Sequence, residues 1–180
     1  MKNLTKILIL STIASCACAC TTSMSVTNAK NESIPLAKIE KDKIICIIPV
    51  ADGMFNGRTY TGSGLYVLNS LIVNLQPYAS KVLTVDATNY EKDAKQANAA
   101  YIVKPIIMHW EPRAAAWSDI PTRVIINISV FDLSQNKEII NANLNVRGRA
   151  FTMVSQSAEG LADILIKQFV QNITDYNTVF

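Results

Sequence analysis

The sequence predicts a single α/β domain, built on a mixed sheet of about five strands with three helices in two or three layers. Three patterns indicate this class. Residues 44–48 form a continuous aliphatic run, typical of a strand buried on both faces. Residues 63–78 place apolar side chains at helical spacing. Residues 122–148 contain two alternating segments joined by a polar turn. The predicted order is β-α-β-α-β-β-β-α, and its short connections favour one domain.

The first half of the domain is predicted to alternate strands and helices. The strand over residues 44–48 ends at Pro49, and a loop that contains three glycines follows over residues 50–62. A helix then runs from Ser63 to about Tyr78. The side chains expected to face the core from this helix are Leu65, Leu68, Ile72 and Leu75.

A second strand and helix are predicted next. The strand covers residues 80–85, and the helix continues to Ala99. Thr88 and Glu91 have the spacing of a capping box, in which the two side chains satisfy amide hydrogens at the start of a helix.

The second half is predicted as three strands and a helix. A strand over residues 101–108 contains Pro105, whose missing amide hydrogen implies a sheet edge or a bulge. Residues 122–133 and 138–148 form a hairpin, with asparagines along one face of its second arm. A helix covers residues 158–173. Its expected inward side chains are Leu161, Ile164, Leu165 and Phe169.

The N-terminus has the pattern of a bacterial lipoprotein signal. Two lysines and an apolar run precede Ile13-Ala14-Ser15-Cys16, which matches a lipobox whose cysteine becomes diacylated. The apolar run is far shorter than the roughly 20 residues that span a bilayer. We therefore predict a signal peptide over residues 1–15 and lipidation of Cys16. Cys20 is the alternative site and Cys18 also competes, while an ordinary secretory signal is the other interpretation.

The segment behind the signal is predicted to be a tether. Residues 16–40 are polar and show no apolar period, so they predict a flexible link to a domain over residues 41–180. A coil of this length spans about 25–30 Å. Because Ala17 rather than aspartate follows Cys16, we expect the outer membrane, with the domain in the periplasm.

Charge and cysteine content exclude several classes of function. The formal charge of +3 includes Lys2 and Lys6, which leave with the signal. The mature chain is then nearly neutral and has no basic stripe, so we expect no nucleic-acid partner. Cys46 lies inside an apolar run and is expected to be a buried structural residue.

The glycines near residue 62 invite comparison with phosphate-binding loops. A P-loop requires lysine and a hydroxyl after the second glycine, but Leu65 and Tyr66 stand there. We therefore predict a tight turn over residues 61–64, with Ser63 as the helix cap.

The densest polar cluster of the sequence is the candidate binding site. It consists of His109, Trp110, Glu111, Arg113, Trp117 and Asp119. In an extended strand, His109 and Glu111 share one face and Trp110 takes the other. Such a patch could hold a sugar by stacking and hydroxyl contacts. The structural alternative is a packed corner with an ion pair from Arg113 to Glu111 or Asp119.

No catalytic or metal-binding pattern is visible in this cluster. Metal sites usually contain several histidines or cysteines, and hydrolysis requires a nucleophile with an oriented base. We therefore expect no cofactor, no metal and no enzymatic activity.

Several stretches resemble a known family. Residues 100–105 (AYIVKP), 109–113 (HWEPR), 117–121 (WSDIP) and the hairpin are similar to uncharacterised proteobacterial lipoproteins defined by a domain of unknown function. The likeness covers residues 43–173. It implies a lipoprotein and brings no established activity or catalytic residues.

The element order is also similar to that of periplasmic α/β modules in secretion and cell-wall lipoproteins, such as the outer-membrane activators of peptidoglycan synthases. That likeness is one of topology alone. We expect a lipid-anchored, non-enzymatic module that binds an envelope protein. Binding of a small ligand or glycan through residues 109–119, with weak hydrolysis, is the alternative.

Overall fold

The chain forms eight strands and three helices in the computed structural model, which describes residues 23–28, 36–112, 120–148 and 156–174. The strands are β1 (Ser23–Asn28), β2 (Lys43–Ile47), β3 (Met54–Phe55), β4 (Arg58–Thr59), β5 (Ala79–Thr84), β6 (Tyr101–Glu111), β7 (Arg123–Asp132) and β8 (Lys137–Arg147). The helices are α1 (Ser63–Leu75), α2 (Tyr90–Gln96) and α3 (Ala158–Thr174), and a 3₁₀ turn, Gln76–Tyr78, extends α1.

Six strands form one mixed sheet in the order β1-β8-β7-β6-β2-β5. Strand β2 runs parallel to β5 and β6, and the other neighbours are antiparallel. Strands β3 and β4 form a separate small hairpin. The predicted α/β class, its three helices and its mixed sheet are confirmed. Strand β1 and the short β3–β4 hairpin, which lies within the predicted loop over residues 50–62, are additions to the predicted order.

The sheet is covered unequally on its two faces. Helices α1 and α3 bury one face over its width, with Leu71, Phe169 and Ile126 in the main core. On the opposite face, the shorter α2 covers only the side of the sheet near β2, where Cys46 and Ile102 are buried. Near β2 the domain has three layers, with helices on both faces of the sheet. Toward β8 it has two layers, because only α1 and α3 of the described helices cover the sheet there. Within the described ranges, no helix combines the length and apolarity needed to cross a bilayer.

The predicted inward stripes are correct at Leu75 of α1 and at Leu161, Leu165 and Phe169 of α3, which are all buried, but each stripe includes one exposed residue. Helix α1 buries Val67, Leu71 and Leu75, whereas Leu65 is 61% exposed. In α3, Ile164 is 46% exposed. Both helices carry apolar residues on more than one side. Packing against the sheet and the neighbouring helix therefore selects the buried stripe.

The start of α2 also differs from the prediction. The helix begins at Tyr90, and the capping box predicted from Thr88 and Glu91 is not the cap. Instead, the Asp86 carboxylate accepts hydrogen bonds from the amides of Thr88 (2.7 Å) and Asn89 (3.2 Å). These bonds hold the pKa of Asp86 below its usual value.

Strand β1 lies within the segment predicted as a tether. It pairs along the edge of β8, from Ser23 opposite Arg147 to Asn28 opposite Ala142. The segment is polar, which is why the sequence predicts a flexible link. An edge strand needs only backbone hydrogen bonds to join a sheet, so polarity does not prevent the pairing. By sequence, six residues separate Cys16 from the first residue of β1.

Alanine substitutions of two leucines in α1 test which of its sides faces the core. We expect Leu71→Ala to lower the free energy of unfolding by about 2–5 kcal/mol, because it leaves a cavity in the core. The matched change Leu65→Ala should cost less than about 0.5 kcal/mol, since that side chain is mostly exposed. Urea denaturation measures both values. Equal costs for the two variants would contradict the packing described.

Candidate functional site

A bulge in β6 decides which residues of the candidate site face the core. Ile107 lies opposite Ile126 of β7, but His109 lies opposite Ile125, so Met108 is an extra residue on β6. The extra residue changes which face each later side chain occupies. Trp110 then faces the core with Val124, and His109 and Glu111 share the opposite face, as the alternation predicts.

His109 and Glu111 form a closed polar pair. The His109 Nε2 and Glu111 Oε2 atoms lie 2.8 Å apart, and the two side chains are 21% and 10% exposed. The ring of Phe55 from β3 meets the imidazole edge-on, with 5.0 Å between ring centroids. The histidine is therefore fixed by a hydrogen bond and by an aromatic contact.

Trp110 is a core residue. Its side chain is 1% exposed, and the loop before β3 approaches it closely at Gly53. A Cβ atom on Gly53 would lie 2.6 Å from Trp110 Cβ and 2.7 Å from Ile107 Cγ2. Only glycine fits this contact. Trp110 consequently does not offer an open stacking face beside His109.

The remaining predicted site residues, Arg113, Trp117 and Asp119, lie outside the described residues. The predicted ion pairs of Arg113 with Glu111 or Asp119 stay predictions. Within the described part, the structure brings His109 and Glu111 together and places Trp110 on the other face of the sheet.

A cavity of about 430 Å³ opens on the Trp110 side of β6. Its lining includes Arg58 and Tyr60 from the β4 region, Tyr66 of α1, Trp110 and Glu159 of α3. The Arg58 guanidinium lies 5.3 Å from the centre of the Tyr60 ring. Burial, helped by the Asp163 and Glu159 carboxylates, raises the pKa of Tyr66, so this wall presents a neutral phenol. Aromatic walls with one cation and one carboxylate suit a small polar ligand.

Sequence reasoning missed this cavity because its lining comes from separate segments. Arg58 and Glu159 are about a hundred positions apart in the chain, and they line the same cavity only because α1 and α3 pack side by side. One part of the cavity wall is visible in the sequence, because Arg58, Tyr60 and Tyr66, whose long side chains end in polar groups, lie close together at the start of a predicted helix.

The backbone amides of the glycine-containing turn before α1 bind a carboxylate of the protein, that of Asp52. Asp52 Oδ1 accepts hydrogen bonds from the amides of Gly62 (3.1 Å) and Gly64 (2.8 Å). Ser63 is not the helix cap, because its hydroxyl donates to Tyr60 O at 2.7 Å and accepts from Gly53 N at 2.8 Å. The turn is structural, as predicted, but Asp52 does the capping.

The outer face of β6, β7 and β8 is a second feature that could bind a partner. Asn127 Nδ2 donates to Asn141 Oδ1 (2.9 Å) and to Asn143 Oδ1 (2.7 Å) across the two strands. Ile106 and Met108 beside them are 44% and 62% exposed. No helix of the described part covers this area, which we call the asparagine face.

Cys46 has the structural role predicted. It is fully buried, and burial raises the pKa of its thiol, so the reactive thiolate is disfavoured. Among the described residues there is no group of three or more histidine, cysteine or acidic side chains that could hold a metal.

A family model described as "Domain of unknown function (DUF4823)" matches residues 37–173. This match agrees with the resemblance inferred from the sequence as far as the domain of unknown function. No curated protein matches the sequence.

Solved structures give a fold likeness at low sequence identity. The PelC dodecamer from Paraburkholderia phytofirmans matches with a TM-score of 0.64 and 13% identity, covering 86% of this chain and 98% of the PelC chain. A single-residue variant of that PelC matches with the same TM-score and identity, over 86% and 99% of the two chains. Lipoprotein GNA1162 from Neisseria meningitidis matches at 14% identity over 73% and 97% of the chains, with a TM-score of 0.44. The likeness to PelC shows a shared fold.

Proposed function

The chain belongs to the DUF4823 family, and we propose that it is a lipid-anchored envelope protein whose domain is a non-enzymatic interaction module. The lipobox that ends at Cys16 supports the anchor. The outer membrane is the proposed destination, since Ala17 follows that cysteine, and the domain would lie in the periplasm.

The asparagine face is the observation that carries the interaction role. Its amides are already hydrogen-bonded to one another across β7 and β8, so the surface is ordered before any partner arrives. Exposed Met108 and Phe131 supply apolar area on the same sheet. Methionine and aromatic residues are enriched at protein interfaces. The combination supports a protein partner in the envelope.

A second copy of the chain is the first partner to test. PelC, which shares the fold, is a dodecamer in its own crystals. At 13% identity this likeness extends to the fold alone, so the assembly of this chain is part of the proposal.

Lipidation is tested by metabolic labelling with palmitate. We expect the wild-type chain to incorporate the label and Cys16→Ser to lose it, because the thioether carries the diacylglycerol. The matched variant Cys20→Ser should keep the label. A wild-type chain that stays unlabelled and fractionates as soluble protein would overturn the proposed anchor.

The interaction role is tested by crosslinking the anchored chain in membranes. We expect Met108→Glu and Phe131→Glu to weaken the crosslinked complex at least about tenfold, as central interface substitutions do. Val73→Glu is the control, since Val73 is 68% exposed on α1, away from the asparagine face. Crosslinking that is the same in all three variants, or lost equally in all three, would contradict this assignment.

The cavity beside Trp110 favours a second candidate function, the binding of a small ligand such as a glycan fragment. We expect a muropeptide that enters the cavity to change tryptophan emission, because Trp110 forms part of its wall. Arg58→Gln should weaken that response, while Lys81→Gln on the edge strand β5 should leave it unchanged. No change in emission with muropeptides and sugars at saturating concentration would remove this candidate.

A further inference from the structure

One end of the sheet carries a registered row of residues. Ser23 of β1 lies opposite Arg147 of β8, Arg147 lies opposite Arg123 of β7, and Arg123 lies opposite Glu111 of β6. Residues that pair directly across strands project from the same face. Two arginines therefore stand next to each other beside the point where β1 begins.

Two arginines and one carboxylate, Glu111, form this row, so its positive charge is balanced only in part within the described residues. No ion pair there involves Arg123 or Arg147, and Arg123 Nε is buried without a hydrogen-bond partner. The acid of the same row, Glu111, is bonded to His109. Like charges directly opposite one another destabilise a sheet. An anionic contact would relieve that repulsion.

The positive charges of this row are arginines rather than lysines. The chain contains five arginines, and two of them, Arg123 and Arg147, lie side by side in the row, whereas Arg113 and Arg149 lie outside the described residues. Lysine, by contrast, occurs along the whole chain, and Lys104 and Lys137 of β6 and β8 lie away from the row. Arginine rather than lysine is the side chain whose planar fork matches phosphate oxygens.

The proposed lipid anchor enters at the same end. Between Cys16 and Ser23 the chain can extend at most about 25 Å, whatever its conformation. From Cys20 the limit is about 10 Å. This step rests on the proposed lipidation. The start of β1, and the arginine row beside it, is therefore held close to the membrane surface.

We propose that this end of the domain docks on the membrane, with Arg123 and Arg147 contacting the phosphates of anionic phospholipid headgroups. The exposed Arg147 reaches the surface first, and the half-buried Arg123 adds its fork from the neighbouring strand. The other end of β8, at Lys137, lies about 33 Å away along the strand and is therefore the part of β8 farther from the bilayer. The anchor limits the distance of the domain from the membrane, and the arginine row sets the orientation of the domain on the membrane surface.

The test uses the full lipidated chain with Cys18 and Cys20 changed to serine. A dye is placed by Ser25→Cys near the arginine row or by Lys137→Cys at the far end, both of which are exposed positions. Cys46 is fully buried and does not compete for the dye. The protein is reconstituted in vesicles of phosphatidylethanolamine and phosphatidylglycerol that carry a headgroup acceptor dye, and energy transfer reports distance.

We expect strong transfer from the Ser25 position and weak transfer from the Lys137 position. The double variant Arg123→Gln/Arg147→Gln should lower the docked population about 25-fold, since each basic residue at an anionic surface contributes a factor of about five. Replacing phosphatidylglycerol by phosphatidylcholine should have the same effect. The control Lys81→Gln/Lys92→Gln removes two exposed charges elsewhere and should change nothing.

Two results would overturn the docking proposal while the proposed function stands. One is a lipidated, vesicle-bound chain whose two dye positions give equal transfer. The other is a double arginine variant that keeps the wild-type difference between them. A chain that purifies without lipid and stays off the vesicles would instead overturn the proposed function, and the docking proposal with it.

Discussion

The antiparallel register that runs from β1 across β8 and β7 to β6 is the constraint on which the rest of the structure depends. It places the start of β1 beside Arg147 and Arg123, and it brings Glu111 into the same row. The bulge at Met108 is part of this constraint. Without the extra residue, His109 would face the core and Trp110 would take its place outside. The same backbone adjustment thus completes the core and sets the polar pair on the outer face.

The order of elements and the hairpin are predictable because each produces a local pattern. The alternation in residues 138–148 reports directly on the two faces of β8. Pro105 predicts an edge or a bulge, and it lies in the part of β6 beyond the end of β2, where β6 has no neighbour on that side within the described residues. The shared face of His109 and Glu111 also follows from strand geometry alone.

The features that the sequence did not reveal depend on contacts between distant segments. In β1 only Met24 and Val26 alternate with polar residues, a pattern too short to predict a strand, and the segment becomes a strand by pairing with the free edge of β8. Asp52 caps α1 from a preceding loop, so no local capping motif records it. The exposure of Leu65 follows from how α1 packs against both the sheet and α3. In each case the local sequence allows more than one conformation or buried face, and tertiary contacts determine which one forms.

The pairing of β1 with β8 can be tested by a cross-strand disulfide. Ser25 lies directly opposite Asn145, so Ser25→Cys/Asn145→Cys should form a crosslink on mild oxidation, mapped by peptide mass. The control Ser25→Cys/Asn141→Cys should not, since those positions lie about 13 Å apart along β8. The account predicts the first crosslink alone. Failure of the first pair to crosslink, with the domain folded, would show that β1 is not held in the sheet and that the anchor does not sit beside the arginine row.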